Sequence, residues 1–232
     1  MKHLIASTLC GAMLLAGGAA VAGAQVGYPP ARSPYVDLDL TQEVTLLVGA
    51  YHAHQDAAQV GPQSGALIGL HYEWRAGGPA HLIGELSRVS SERNVINPFK
   101  VGASRDLGKQ SRPLYLANVG LGLGLTGGKS WHHLVPEIAG GLGFASDLHT
   151  QPDTGGYRFG TRFALNWGGG IQWVPGGHLE LRADITNRLY KIAYPEAFYI
   201  APTGGTAVIP PDQAKSFWIN NPAYTLGLTY RF

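Results

Sequence analysis

Residues 223–232 change polarity at almost every step, and this constrains the chain more than any other feature it has. Tyr224, Leu226, Leu228, Tyr230 and Phe232 fall on one parity, and Thr225, Gly227, Thr229 and Arg231 on the other. Successive side chains of a strand point to opposite faces of its sheet, so the segment is a strand with one apolar face and one small or polar face.

The same alternation recurs upstream. It predicts eight strands, over residues 43–54, 65–75, 80–90, 114–126, 133–145, 161–174, 178–191 and 223–232. Each has about the ten residues that a tilted strand needs to cross a bilayer core. Their connections differ in kind. Ala76-Gly77-Gly78-Pro79, Gly127-Gly128-Lys129-Ser130 and Pro175-Gly176-Gly177 are compact turn sequences,. Residues 91–113, 146–160 and 192–222 are long and polar, far beyond ordinary hairpin loops,. Short turns at one end and long loops at the other is the plan of a transmembrane barrel.

Both faces of the strands are emphatic. In the seventh strand Leu179, Leu181, Ala183, Ile185 and Leu189 share one face, against Glu180, Arg182, Asp184, Thr186 and Arg188. The sixth sets Phe163, Leu165, Trp167, Ile171 and Trp173 against Arg162, Asn166 and Gln172, and the second sets Ile68, Leu70, Tyr72 and Trp74 against His71 and Glu73. Alternation alone does not say which face looks inward, but the aromatics do. Tyr72, Trp74, Trp173, Tyr230 and Phe232 gather beside the short turns, and Tyr115, Phe144, Phe163 and Tyr224 lie nearer the long loops. Two aromatic belts around an aliphatic band match the two interfaces of a membrane.

A charge on the lipid face at mid-bilayer costs about 2–4 kcal/mol. The polar set is therefore expected in the lumen: Glu43, His71, Glu73, Glu85, Glu137, Arg162, Glu180, Arg182, Asp184, Arg188 and Arg231. An eight-stranded lumen is narrow enough for side chains to fill, and charges enclosed there must pair with one another.

The amino terminus adds a secretory signal. Lys2 and His3 precede an apolar run, and Ala22-Gly23-Ala24 offers a cleavage site, so residues 1–24 read as a signal peptide,. Cys10, the one cysteine, leaves with it, and no disulfide is expected in the mature chain,. Residues 25–41 carry Pro29, Pro30 and Pro34 and read as an extended, poorly ordered lead-in, leaving residues 42–232 as the barrel domain,. Lys2 is the one basic residue in the signal, so 16 of the 17 Lys and Arg remain against 15 acids. That balance argues against a nucleic-acid partner.

The run Thr225-Leu226-Gly227-Leu228-Thr229-Tyr230-Arg231-Phe232 resembles the carboxyl-terminal assembly signal of outer-membrane barrels, with Gly227, Tyr230 and Phe232 at its marked positions. Together with Asn166-Trp167-Gly168-Gly169-Gly170-Ile171 and Leu179-Glu180-Leu181-Arg182-Ala183-Asp184, it makes the whole mature domain similar to the small eight-stranded OmpA-like barrels that lack a peptidoglycan-binding domain. The resemblance implies an all-β, eight-stranded, antiparallel up-and-down transmembrane β-barrel in the outer membrane of a Gram-negative cell. Its partners would be outer-membrane lipids and the barrel assembly machinery.

Motifs suggesting chemistry are weak by comparison. Gly122-Leu123-Gly124-Leu125-Thr126-Gly127 has dinucleotide-site spacing, but Pro136 and continued alternation follow where a helix is needed,. Gly128-Lys129-Ser130 reads as a turn. The pairs His52/His54 and His132/His133 lack a third ligand at recognised spacing, and neither metal nor cofactor is expected,. Ser130 and His132 stand in the reverse of the order used by outer-membrane lipid hydrolases, and no catalytic residue is assigned.

The expected role is structural or surface-interacting, through the long loops and an extracellular ligand that the sequence does not identify. A narrow solute or ion pore, or a lipid-modifying hydrolase, are the alternatives. The loop at 192–222 holds Tyr194, Phe198, Tyr199, Phe217 and Trp218, which serve either as a lid over the barrel or as a binding surface,. Deleting Phe232 should lower the folded yield in cells more than it lowers the stability of protein refolded in detergent. Equal losses in both settings would assign the residue to packing alone.

Overall fold

A computed structural model describes residues 33–39 and 41–232. The signal peptide expected at residues 1–24, and all but the last part of the proline-rich lead-in, lie outside the described residues. In chain order the strands are β1 (Tyr35–Asp37), β2 (Gln42–Tyr51), β3 (Gly65–Gly77), β4 (Ala80–Val89), β5 (Glu92–Ile96), β6 (Asp106–Ser111), β7 (Leu114–Gly124), β8 (Lys129–Trp131), β9 (Leu134–Ser146), β10 (Thr161–Trp173), β11 (Leu179–Ala193) and β12 (Ser216–Arg231). Eight of them, β2, β3, β4, β7, β9, β10, β11 and β12, pair antiparallel with their chain neighbours, and β12 returns to β2 to close a barrel. The expected strand count and up-and-down order hold.

Register fixes the barrel's dimensions. Cα partners lead from Gly124 through Glu137, Gly170, Asp184, Thr225, Gly49, Leu67 and Val89 back to Leu114. Gly124 and Leu114 lie on the same strand ten residues apart, so the sheet closes with a shear of ten. Strand number and shear set strand tilt and radius together, and eight strands leave room only for side chains.

Alternation translates directly into burial. Along β12 every second residue from Ile219 to Arg231 is buried and the residues between are mostly exposed. The exposed parity carries the aliphatic band and both aromatic belts, including Leu46, Val48, Ile68, Leu70, Tyr72, Trp74, Trp173, Tyr224 and Tyr230.

Three details depart from the expectations. β12 begins at Ser216 and not at 223, because β11 and β12 continue pairing past the barrel rim through Ile192↔Phe217 and Ala193↔Ser216. Pro222 does not end the strand: it stays paired with Asn187 of β11, and on the β2 side, where the ladder ends at Ala223↔Tyr51, its carbonyl still accepts from the His52 N–H at 2.8 Å, so the missing N–H falls at the end of that ladder,. The lead-in is ordered at Tyr35–Asp37, which pairs as β1 with β8, so of the expected turn Gly127 and Gly128 lie in a turn at 125–128, Lys129 and Ser130 belong to a short strand, and a second turn follows at His132 and His133, both at positive φ. The loop at 91–113 contains the β5–β6 hairpin and a turn of 3-10 helix at Gly102–Arg105.

A closed ladder has no free edge from which unravelling can start. Unboiled protein should therefore run at a different position from boiled protein on a detergent gel, and identical mobility would contradict closure.

Candidate functional site

The lumen divides into two halves of different chemistry. At the short-turn end, register forces acids together: Glu43 stands opposite Glu73 across β2 and β3, with Arg231 opposite Glu43 on the other side. Like charges at paired positions repel, and an arginine from across the lumen relieves the conflict. Arg182 sits at the centre of the cluster, 3.0 Å through Nη1 from Glu73 and 2.7 Å through Nε from Asp184, with Nη2 donating to Glu137. Arg75 lies 3.6 Å from Glu43, and Arg231 lies 2.7 Å from Glu180 and 3.8 Å from Glu43. Gln172 donates to Glu43 at 2.7 Å and accepts from Arg75 at 3.2 Å. His71 and His81 both face Glu73, at 3.4 and 3.3 Å.

Glycine makes this density possible. A Cβ at Gly227 would overlap the Thr45 methyl and come within 3.5 Å of the Arg182 Cβ, and one at Gly170 would overlap the Asp184 carboxylate. Nearer mid-barrel, Arg188 donates to Glu85, which also accepts from Ser87 at 2.9 Å. Between the two charge groups lies a cavity of about 50 Å³, lined by His71, Glu85, Asn118, Glu137, Asn166 and Arg182 among others. That is room for a few waters among polar partners.

The long-loop half is apolar. Tyr51, Leu67, Val89, Leu114, Leu116, Tyr190, Ile192 and Ile219 from the strands pack with Tyr157, Phe159, Tyr194, Phe198 and Ile209 from the loops into one buried cluster. Tyr51 and Tyr190 join their hydroxyls at 2.7 Å, and Phe198 stacks on Tyr157 and Tyr194. Buried polar contacts lock the loops to one another. Tyr194 donates to Asp56 at 2.8 Å, and burial, with Asp56 beside it, holds its phenol above the usual range. Arg93 makes a two-pronged pair with Asp153, at 2.5 and 3.0 Å, and lies over the Tyr157 ring.

The structure thus brings Glu43, His71, Glu73, Glu137, Glu180, Arg182, Asp184 and Arg231 into one network, and sets Glu85 and Arg188 apart as a second pair. Arg162 does not join them. It lies at the long-loop end of β10, where its guanidinium donates to the Arg158 carbonyl at 3.2 Å and lies 6.0 Å from the Phe159 ring centroid. Of the three terminal-signal residues, Gly227 points inward and has a packing role, while Tyr230 and Phe232 are exposed on the outer face.

The loop aromatics do not form an exposed surface. Tyr194 is 6% exposed and Phe198 0%, both inside the buried cluster, and half-buried Tyr199 packs against it. Phe217 and Trp218 belong to β12, and Trp218, 49% exposed, stands on its outer face. Ser130 is buried, with its hydroxyl 3.5 Å from the Val36 carbonyl. His52 and His54 lie beyond the end of β2.

Sequence reasoning passed over Arg75 and His81, both close to short turns, and the Arg93–Asp153 pair. The parity of β3 and β4 signals the first two, since Arg75 and His81 continue the inward rows of Glu73 and Glu85. Nothing in the spacing of Arg93 and Asp153 announces that they meet.

No family model matches the chain, and no curated protein matches it in sequence. Among solved structures it is similar to Neisserial surface protein A, at 11% identity and a TM-score of 0.50, over 82% of this chain and 97% of that one. It is also similar to the outer membrane protein OprG from Pseudomonas aeruginosa, at 13% identity and a TM-score of 0.52, over 83% and 96%. At these identities the likeness speaks for fold: the chain has the architecture of small eight-stranded outer-membrane barrels.

Breaking a buried charge pair from one side costs about 3–5 kcal/mol. Arg182→Met, which strips one partner from Glu73, Glu137 and Asp184 together, should lower the urea midpoint of the refolded barrel far more than Arg162→Met. Equal effects would mean that the cluster is not what holds the lumen together.

Proposed function

We propose that the chain is an integral outer-membrane protein whose barrel serves as an anchor and whose ordered loop cap carries a surface-interaction role. The supporting observation is that the lumen is filled twice over, by the charge network around Arg182 at one end and by the apolar cluster around Tyr190 and Phe198 at the other. A solute path would have to displace both. The loops are instead built to hold shape. The β5–β6 hairpin is pinned by Arg93 to Asp153, and Tyr194 is pinned to Asp56. A rigid scaffold carrying shaped loops is where recognition tends to reside.

The exposed apolar residues of the loops offer a candidate contact surface beyond the aromatic set expected from sequence. Phe99, Val101, Leu107, Leu148 and Ile200 are the exposed large apolar residues of these loops, and the Arg105 guanidinium, donating to the Thr206 carbonyl, ties the hairpin to the loop that carries Ile200. The signal peptide and terminal motif expected from the sequence support a topology with the long loops outside the cell.

Two measurements test this reading. Planar bilayers containing the refolded protein should show no steady conductance, and a persistent open channel would favour the pore. An epitope inserted within residues 99–104 should be labelled by antibody on intact cells, and labelling only after permeabilisation would reverse the topology and remove the surface role.

A further inference from the structure

One trio in the lumen is only partly engaged by the ion-pair network, the Arg75 Nε lying 3.9 Å from Glu73 Oε1. Glu73 on β3, His81 on β4 and Glu137 on β9 each offer a ligand atom, all within 4.8 Å of one another and all buried. Arg182 takes Glu73 through Oε2 and Glu137 through Oε1. The opposite oxygens, Glu73 Oε1 and Glu137 Oε2, turn towards the His81 ring, at 3.3 and 3.6 Å from its two nitrogens. Glu73 Oε1, Glu137 Oε2 and His81 Nε2 are buried without a hydrogen-bond partner. Three unsatisfied acceptors or donors in one place are costly as they stand. The ring is also held in a prepared slot, because a Cβ at Gly122 would occupy the position of His81 Nε2.

Charge balance points the same way. The lumen network holds six carboxylates, Glu43, Glu73, Glu85, Glu137, Glu180 and Asp184, against four guanidiniums, Arg75, Arg182, Arg188 and Arg231. The carboxylates outnumber the guanidiniums by two. Buried charge needs an opposite charge.

We propose that Glu73, His81 and Glu137 form a binding site for one divalent cation of the zinc or manganese class. The ion's two positive charges offset the excess of two carboxylates over guanidiniums. One imidazole nitrogen and two carboxylate oxygens are a donor set that suits such ions, with bonds of about 2.0–2.2 Å and a fourth position open to water. Water is at hand, since Glu137 also lines the mid-barrel cavity. Arg182 holds the two carboxylates from behind, which fixes the oxygens presented to the ion. The donors lie on three strands, and His81 is the second residue of β4, so the site lies towards the short-turn end.

The test uses the mature barrel refolded in detergent, stripped with chelator and dialysed against Zn²⁺ or Co²⁺. Metal analysis should find about one equivalent in the wild type and in His54→Gln, which removes an exposed loop histidine. His81→Gln and Glu137→Gln should lose it, and Gly122→Ala, which removes no ligand but displaces the ring, should weaken it by about tenfold or more. Bound Co²⁺ should show the visible absorption of nitrogen and oxygen ligation. Zn²⁺ should raise the wild-type urea midpoint, a readout that stands even if the variants fail to fold. A folded wild type that takes up no metal, or a folded His81→Gln that keeps its full equivalent, would overturn the proposal.

Discussion

Closure of the backbone ladder is the constraint on which everything else in this protein depends. Pairing β12 to β2 removes both free edges, so every strand satisfies its main chain within the barrel and its outer face is free to be apolar,. The same closure, with eight strands and a shear of ten, sets a lumen of fixed and small radius. Whatever points inward must fit, and whatever is charged inside must find its partner there.

The two ends meet this demand differently. Towards the short turns, acids on neighbouring strands are drawn together by register and then reconciled by arginines reaching across the lumen, with glycines at Gly170 and Gly227 giving up volume so that Asp184 and Arg182 can fit. Towards the long loops the inward parity turns apolar, and loop side chains enter the barrel mouth to complete a core around Tyr190, Phe198 and Ile209. The loops are therefore part of the folded body and not appendages to it. This gives the protein a cap of defined shape, held by Arg93–Asp153 and Tyr194–Asp56, over a lumen already filled beneath it.

Legibility in the sequence follows from the range of the signal. Alternation is local, and it reveals β11 from Leu179, Glu180, Leu181 and Arg182 alone; the inward set from Glu43 to Arg231 follows from the same parity. The start of β12 is less legible, because the local pattern begins after Pro222, whereas pairing with β11 carries the strand back through Pro222 to Ser216. The loop aromatics were ambiguous for a related reason: whether Tyr194 and Phe198 face water or the barrel depends on contacts with Asp56 and Tyr157, residues far away in the chain.

The sequence by itself determined the strands, their faces, the barrel class and the inventory of charges that must go inside, because a period of two and a bilayer-length strand are properties of short segments. Only the tertiary structure decided which charges meet. Shear brings Glu73, His81 and Glu137 to one point from three strands, separates Arg188 and Glu85 from the cluster around Arg182, and leaves Arg162 outside it. Such meetings depend on the stagger between strands around the whole circumference, and no single segment of the chain carries that quantity.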